Sequence, residues 1–188
     1  MNKKTLVILG VVALVIIVLA STVAGTYNSM VTAQAEVENK QSSVETALQR
    51  RNDLIPNLVN TVKGYAKHEQ EIYTAIADAR SKLAGAETIE EMGAADSELS
   101  SAVSRLLVVV ENYPNLAEDK SFIALQDQLE GTENRIADAR KLYNEAATDY
   151  NKKIKKIPAN IFAKMFGFEK AELFKAESGA DDVPEVDF

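Results

Sequence analysis

Any chemistry in this chain would have to be done by carboxylates, guanidiniums and a single imidazole. There is one His and no Cys among 188 residues, so a nucleophilic triad, which needs a base beside Ser, Cys or Thr, has only His68 to build on. His68 lies in Lys67-His68-Glu69-Gln70-Glu71, beside an apolar seam on a helical pattern. It reads as a solvated surface histidine, because a metal site would need several further ligands brought to it. Carboxylate pairs such as Glu90-Glu91 and Asp181-Asp182 are the raw material of a glycosidase. That chemistry also needs a cleft, which narrow helix bundles seldom offer, and the pairs read as solvated faces. Neither a Gly-rich phosphate loop nor an EF-hand spacing occurs. No residue is therefore assigned to catalysis, to a cofactor or to a metal.

The polar residues of segment 50–57 are more informative. Pro56 removes a backbone donor, and the carbonyl it frees wants another one. Arg51 and Asp53 flank that position and read as the groups that hold a bend; a partner-docking surface is the rival reading. Tyr143 and Tyr150, seven apart, read as seam residues whose hydroxyls reach the edge of a bundle.

The elements that must carry these residues begin with an uncharged run. Residues 5–35 contain no charged side chain and follow Lys3-Lys4 directly. A helix over residues 5–24 would be about 30 Å long, the thickness of a bilayer's hydrocarbon core. A cleaved secretory signal shares these features, with Thr22-Val23-Ala24 as its small-residue end, but its apolar core is shorter. Spanning length favours a retained anchor over residues 1–25. Lys3 and Lys4 precede the run and the next basic residue is Lys40, so the positive-inside rule puts the amino end in the cytoplasm and the remainder on the outer side of the cell (inner) membrane. Ala20, Ser21, Ala24 and Gly25 have the small-xxx-small spacing that lets two anchors approach, so a homo-oligomer is open, although lipid-facing small residues explain the spacing as well.

Beyond the anchor the chain is acidic. Its 21 basic residues less Lys3 and Lys4 face 28 acidic ones, which argues against nucleic acid and disfavours broad contact with anionic lipid. Thirteen of the seventeen positions Tyr27, Met30, Gln34, Val37, Gln41, Val44, Leu48, Arg51, Ile55, Leu58, Val62, Tyr65, Glu69, Ile72, Ile76, Ala79 and Leu83 are apolar, at alternating steps of three and four. This is the seam of one long helix that packs in coiled-coil fashion. The phase runs through Pro56, which favours a kinked helix over a hairpin at Asn52-Asp53. After Gly85, Thr88 and Glu91 form a capping box, and a second seam runs through Met92, Ala95, Leu99, Ala102, Leu106, Val109 and Tyr113 until Pro114. A third runs through Phe122, Leu125, Leu129, Thr132, Ile136, Ala139, Tyr143, Ala146, Tyr150, Lys153 and Ile157 until Pro158.

Short connections between such helices predict an all-α fold: an N-terminal transmembrane helix, then an elongated antiparallel up-and-down bundle of four-helix type over residues 26–158. A hairpin closing at residues 85–88 sets facing positions to sum to about 173, and so makes Arg105 the partner of Glu69. Residues 159–176 read as a short apolar helix covering the open end of the bundle, or else as an interfacial membrane contact. Residues 177–188, with five acids and no base, read as a disordered tail.

Gln49-Arg50-Arg51-Asn52-Asp53-Leu54-Ile55-Pro56-Asn57-Leu58-Val59, Glu111-Asn112-Tyr113-Pro114-Asn115-Leu116 and Thr132-Glu133-Asn134-Arg135-Ile136-Ala137, with Ala139-Arg140, Tyr143-Asn144 and Tyr150-Asn151, together resemble the LemA family over roughly residues 27–168. The resemblance implies a bacterial membrane-anchored protein with an all-α, four-helix-bundle-like domain outside the span. It supplies no reaction and no catalytic residues. The expectation is a non-enzymatic scaffold or adaptor whose partners are other envelope or membrane proteins, among them, by family association, a membrane protease or a TPM-domain protein. A cell-envelope enzyme using acidic residues and a cleaved, soluble secreted bundle are the alternatives.

Overall fold

The structure, a computed structural model, describes residues 3–175; the acidic segment 177–188 lies outside them. Every regular element described is helical: α1 (Lys3–Lys63), α2 (Gln70–Ala84), α3 (Ile89–Val110), α4 (Pro114–Ala117), α5 (Lys120–Lys155) and α6 (Ala159–Phe166). The all-α expectation holds. The chain divides into two compact units. One holds the described residues up to Asn39 together with Glu145–Ala171; the other holds Lys40–Asn144 and the described residues from Glu172 onward.

In the second unit, residues 40–63 of α1, then α2, α3 and residues 120–144 of α5 run alternately up and down. Arg80 of α2 reaches Asn52, and Tyr73 reaches back to Ala66, so α2 returns along α1. Lys82 pairs with Glu98, and Arg105 with Glu71, so α3 runs antiparallel to α2. Arg140 of α5 meets Asp96, and Glu133 meets Arg51. The buried stripe is Val44, Leu48, Ile55, Leu58 and Val62 from α1, Ile72, Ile76, Ala79 and Leu83 from α2, Leu99, Ala102 and Leu106 from α3, and Phe122, Ile136 and Tyr143 from α5. These are mainly the three-and-four positions expected, because burial of one helical face imposes that period.

Three expectations need correction. The helix continues through Pro56 as expected, but it does not run on to Leu83: it stops at Lys63 and α2 begins at Gln70. There Gly64, Tyr65 and Ala66 turn back on the carbonyls of Thr61 and Val62. Ala66 is buried out of phase, with Tyr73 donating to its carbonyl at 2.6 Å, while Tyr65 is exposed. The apparent seam from Val62 to Ile72 was thus two helices whose phases happened to agree. Second, Glu69 is the residue preceding α2, and Arg105 reaches Glu71 at 3.4 Å on the exposed surface. Facing pairs 71 with 105 and 82 with 98 lie a few residues from the expected register. Third, Leu129 is only half-buried. Pro114 begins α4 rather than merely ending α3, which suits its preset φ and missing donor.

The α3 start is as expected. The Thr88 hydroxyl accepts from the Glu91 backbone at 3.2 Å, and the Glu91 carboxylate accepts from the backbones of Glu87 and Thr88. Those two backbone donors hold the Glu91 carboxyl below its usual pKa.

In the first unit, α1 and the end of α5 pack through Met30 and Val37 with Ala147, Tyr150 and Ile154. The α5 seam is one residue from the expected Ala146 and Lys153. Residues 6–19 of α1 are exposed over their whole surface, with large apolar side chains 48–66% accessible. An apolar helix of that length and exposure fits membrane anchoring.

Truncation should separate these depths. Leu58→Ala and Leu106→Ala, both fully buried, are expected to cost about 2–5 kcal/mol each, and Leu129→Ala clearly less. Denaturant titration of the full chain in detergent checks this; an equal cost at all three would contradict the packing described.

Candidate functional site

The most demanding side chain in the second unit is Asp96. It stands on α3 between Met92 and Leu99, on the apolar face, and is wholly buried. Its Oδ1 accepts from Arg51 Nη1 at 2.6 Å and its Oδ2 from Arg140 Nη2 at 2.7 Å. Arg51 Nη2 in turn meets Glu133 Oε2 at 3.0 Å, at the half-exposed edge. The order Glu133, Arg51, Asp96, Arg140 alternates in sign and sums to zero. That neutrality is what makes burial tolerable, because each charge stripped of water has an opposite charge and a hydrogen bond in return. The cluster ties α1, α3 and α5.

The next residue along α1 ties the remaining helix. Pro56 cannot donate to the carbonyl four residues back, which is that of Asn52. Arg80 of α2 takes this carbonyl, its Nε donating to Asn52 O at 3.2 Å and to Asn52 Oδ1 at 2.9 Å. The freed carbonyl does therefore recruit a cation, but not the one expected. Arg51 points to Asp96, and Asp53 is exposed and accepts from Gln49 at 2.8 Å. Residues 51 and 52, about 100° apart around α1, each serve a different neighbour.

A second set of polar residues holds the chain after α6. Gly167, at φ 76°, ends α6 in the left-handed conformation that glycine adopts without penalty, and residues 168–175 continue without regular structure. In the second unit, Asn144 grips Phe174 from both sides: its Nδ2 donates to Phe174 O at 3.0 Å, and its Oδ1 accepts from Phe174 N at 2.9 Å. Tyr143 donates to Glu172 O at 2.9 Å. The Phe174 ring is buried edge-on to Tyr143, 5.3 Å between centroids, with the Arg140 guanidinium 5.1 Å above it. In the first unit the pattern recurs: Asn151 grips Ala171 at 2.8 and 2.9 Å, and Tyr150 donates to Glu169 O at 2.9 Å. The clamps are seven residues apart on α5 and their targets three apart. Each unit thus has its own Tyr-Asn pair on α5 holding its own part of this strap.

The other sequence candidates go elsewhere. His68 is exposed in the turn before α2, and Glu90 pairs with Lys175 at 2.8 Å on the surface. Among the described residues no three His, Cys, Asp or Glu side chains come together as metal ligands do. Asp181 and Asp182 lie outside the described residues. Sequence reasoning missed Asp96, whose signal was an acid placed four residues after Met92 and three before Leu99, inside an apolar stripe. It also missed that Asn144 and Asn151, beside the two seam tyrosines, are peptide clamps.

What the arrangement can do chemically is limited by how fully it is used. Both Asp96 oxygens are taken by guanidinium, and the asparagine amides are taken by backbone. These geometries define a helical-bundle protein headed by an apolar helix of membrane-anchor type. A family model described as the LemA family matches residues 40–188, and the chain belongs to that family. Magnetosome protein MamQ 2 of Paramagnetospirillum magneticum is 32% identical over 184 residues, covering 84% of this chain and 67% of the relative. Magnetosome protein MamQ of Magnetospirillum gryphiswaldense is 30% identical with the same coverage. Protein LemA of Metamycoplasma hominis is 25% identical over 154 residues, covering 81% of this chain and 70% of the relative.

Asp96→Leu should cost about 3–5 kcal/mol, because it strands two guanidiniums in the interior, whereas Glu133→Gln at the half-exposed edge should cost under about 1 kcal/mol. Comparable losses in denaturation would mean that the cluster is solvated.

Alkaline pH gives an independent check. Burial pushes the Tyr143 and Tyr150 hydroxyls above the usual tyrosine pKa. Folded values above the unfolded one contribute stability that is full below about pH 10 and is lost as pH rises through the folded values. Tyr143→Phe should therefore flatten the alkaline fall in melting temperature; an unchanged alkaline slope would place that hydroxyl in water.

Proposed function

We propose that this chain is a single-pass membrane protein of the bacterial cell envelope that works without catalysis, as a helical scaffold or adaptor acting through protein–protein contacts. The observation that carries the reading is the commitment of the distinctive polar residues to internal work. Arg51, Asn52, Asp96, Arg140, Asn144 and Asn151 hold helices and strap together, and a side chain spent on fixing architecture is not poised to move a proton. The exposed apolar residues Val108, Ile123 and Leu142 are the places from which contacts with other envelope or membrane proteins, or with a second copy, would be made. The MamQ relatives are named for the magnetosome and not for a reaction, which favours the same reading. The amino end lies in the cytoplasm and the bundle on the outer side, on the strength of Lys3 and Lys4.

In membranes prepared from cells, intact-mass measurement should find residues 5–24 retained and alkaline carbonate should fail to extract the chain. Loss of that segment with release by carbonate would overturn the anchor. External protease should degrade the bundle once any outer layer is permeabilised; protection until lysis would reverse the orientation. A photo-crosslinking residue at Val108, Ile123 or Leu142 should give discrete adducts in intact cells. Substrate turnover by the purified full chain, abolished by changing a surface carboxylate to its amide, would overturn the non-catalytic reading.

A further inference from the structure

α6 is inside out for a helix in water. Its buried residues are the small Ala159 and Ala163, four apart, whereas Ile161 and Met165, also four apart and so on one stripe, are each 63% exposed. Ile157 just before it is 83% exposed and Phe166 at its end 45%. Large apolar side chains gathered on an outward face mark an interaction surface rather than a cap.

Two contacts within the first unit locate this face. Tyr27 packs edge-on against Phe166 and Phe168, at 5.0 and 5.7 Å between ring centroids. Lys153 Nζ donates to the backbone oxygen of Ser29 at 3.2 Å. Both fasten the end of α5 and α6 to α1 just past its apolar run. The charge there is also segregated: from Tyr150 to Phe168 the chain carries Lys152, Lys153, Lys155, Lys156 and Lys164 and no acid, although its net charge is −7.

From these observations we infer that α6 and its neighbouring lysines form a docking surface for the bilayer, with Ile157, Ile161, Met165 and Phe166 entering the boundary between headgroups and acyl chains and the lysines meeting anionic phospholipid headgroups. The inference rests on the reading of α1 as a membrane span. Lipid is the occupant because Phe166 packs on Tyr27, eight residues past the exposed apolar run of α1 that ends at Leu19, which sets the face at the matching depth. About 30 Å of helix from Thr5 brings the hydrocarbon edge to Ala24, and Tyr27 then lies about 4–5 Å beyond it, where interfacial tyrosines and amphipathic helices lie. A cluster of juxtamembrane lysines supplies the matching attraction for anionic lipid. The acidic whole-chain balance conceals this, because the lysines come from the far end of the sequence and reach the span only through folding.

The chain has no cysteine, so a single introduced one carries a label at a known site. Full chains with Ile161→Cys, Met165→Cys, Leu14→Cys or Ala35→Cys, each an exposed position, would be labelled with an environment-sensitive fluorophore. They would then be reconstituted into phosphatidylcholine vesicles with or without phosphatidylglycerol, containing lipid brominated near the headgroup or deep in the acyl chain. Deep bromines should quench position 14. Shallow bromines should quench positions 161 and 165 about twofold or more above position 35, which lies about 15 Å along α1 from Gly25, and phosphatidylglycerol should increase the difference. No quenching at position 14 would mean that the span reading itself fails. Quenching at 14 with 161 and 165 no different from 35 would overturn the docking surface alone. Labels at 161 and 165 shielded from aqueous quencher yet untouched by brominated lipid would assign the face to a second copy or another protein, and would equally overturn it.

Discussion

Asp96 is buried without access to water, and the second unit is arranged so that this can be so. A lone carboxylate in an apolar interior costs several kcal/mol in lost hydration, and the cost is offset only when opposite charges with good hydrogen-bond geometry surround it. Arg51 and Arg140 do this from two other helices, at 2.6 and 2.7 Å, and Glu133 completes the neutralisation. Leu, Ile and Ala seams alone tolerate sliding by a turn with little penalty. Sliding α3 against α1 or α5 here would strand Asp96, so the charges select one register.

The backbone obeys the same logic of satisfaction. Pro56 leaves the Asn52 carbonyl without its helical donor, and Arg80 supplies one from α2. Among the described residues the strap after Gly167 joins no strand, and the peptide groups of Ala171 and Phe174 are completed by asparagine side chains that present both a donor and an acceptor. The polar residues through which the chain resembles its family are thus largely architectural. They hold a bundle together where an apolar core could not specify how.

The two units carry different problems. One must bury charge; the other exposes apolar surface, both on α1 and on α6. Exposed leucine and valine along some 14 consecutive α1 positions make sense in hydrocarbon, and the outward Ile161 and Met165 make sense where hydrocarbon ends. What is an error of packing in water is ordinary in a bilayer, because the solvent there is apolar.

Periodicity along the sequence was enough for the helical class, the apolar N-terminal helix, the capping box at Thr88 and most of the core, since burial of one face and a bilayer's thickness both act on local spacing and length. Periodicity was not enough to find the turn at Gly64, because a hairpin can preserve heptad phase by coincidence, and the reversal shows only in which residues Tyr73 and Arg80 touch. Nor could it assign Arg51, Asp96 and Arg140 to one another. They stand 45 and 44 residues apart, and which charge meets which depends on how α1, α3 and α5 face each other. The same holds for Lys153 and Phe166, which folding brings to Ser29 and Tyr27. Local propensity reads off the chain; complementarity between distant groups exists only once the helices have packed.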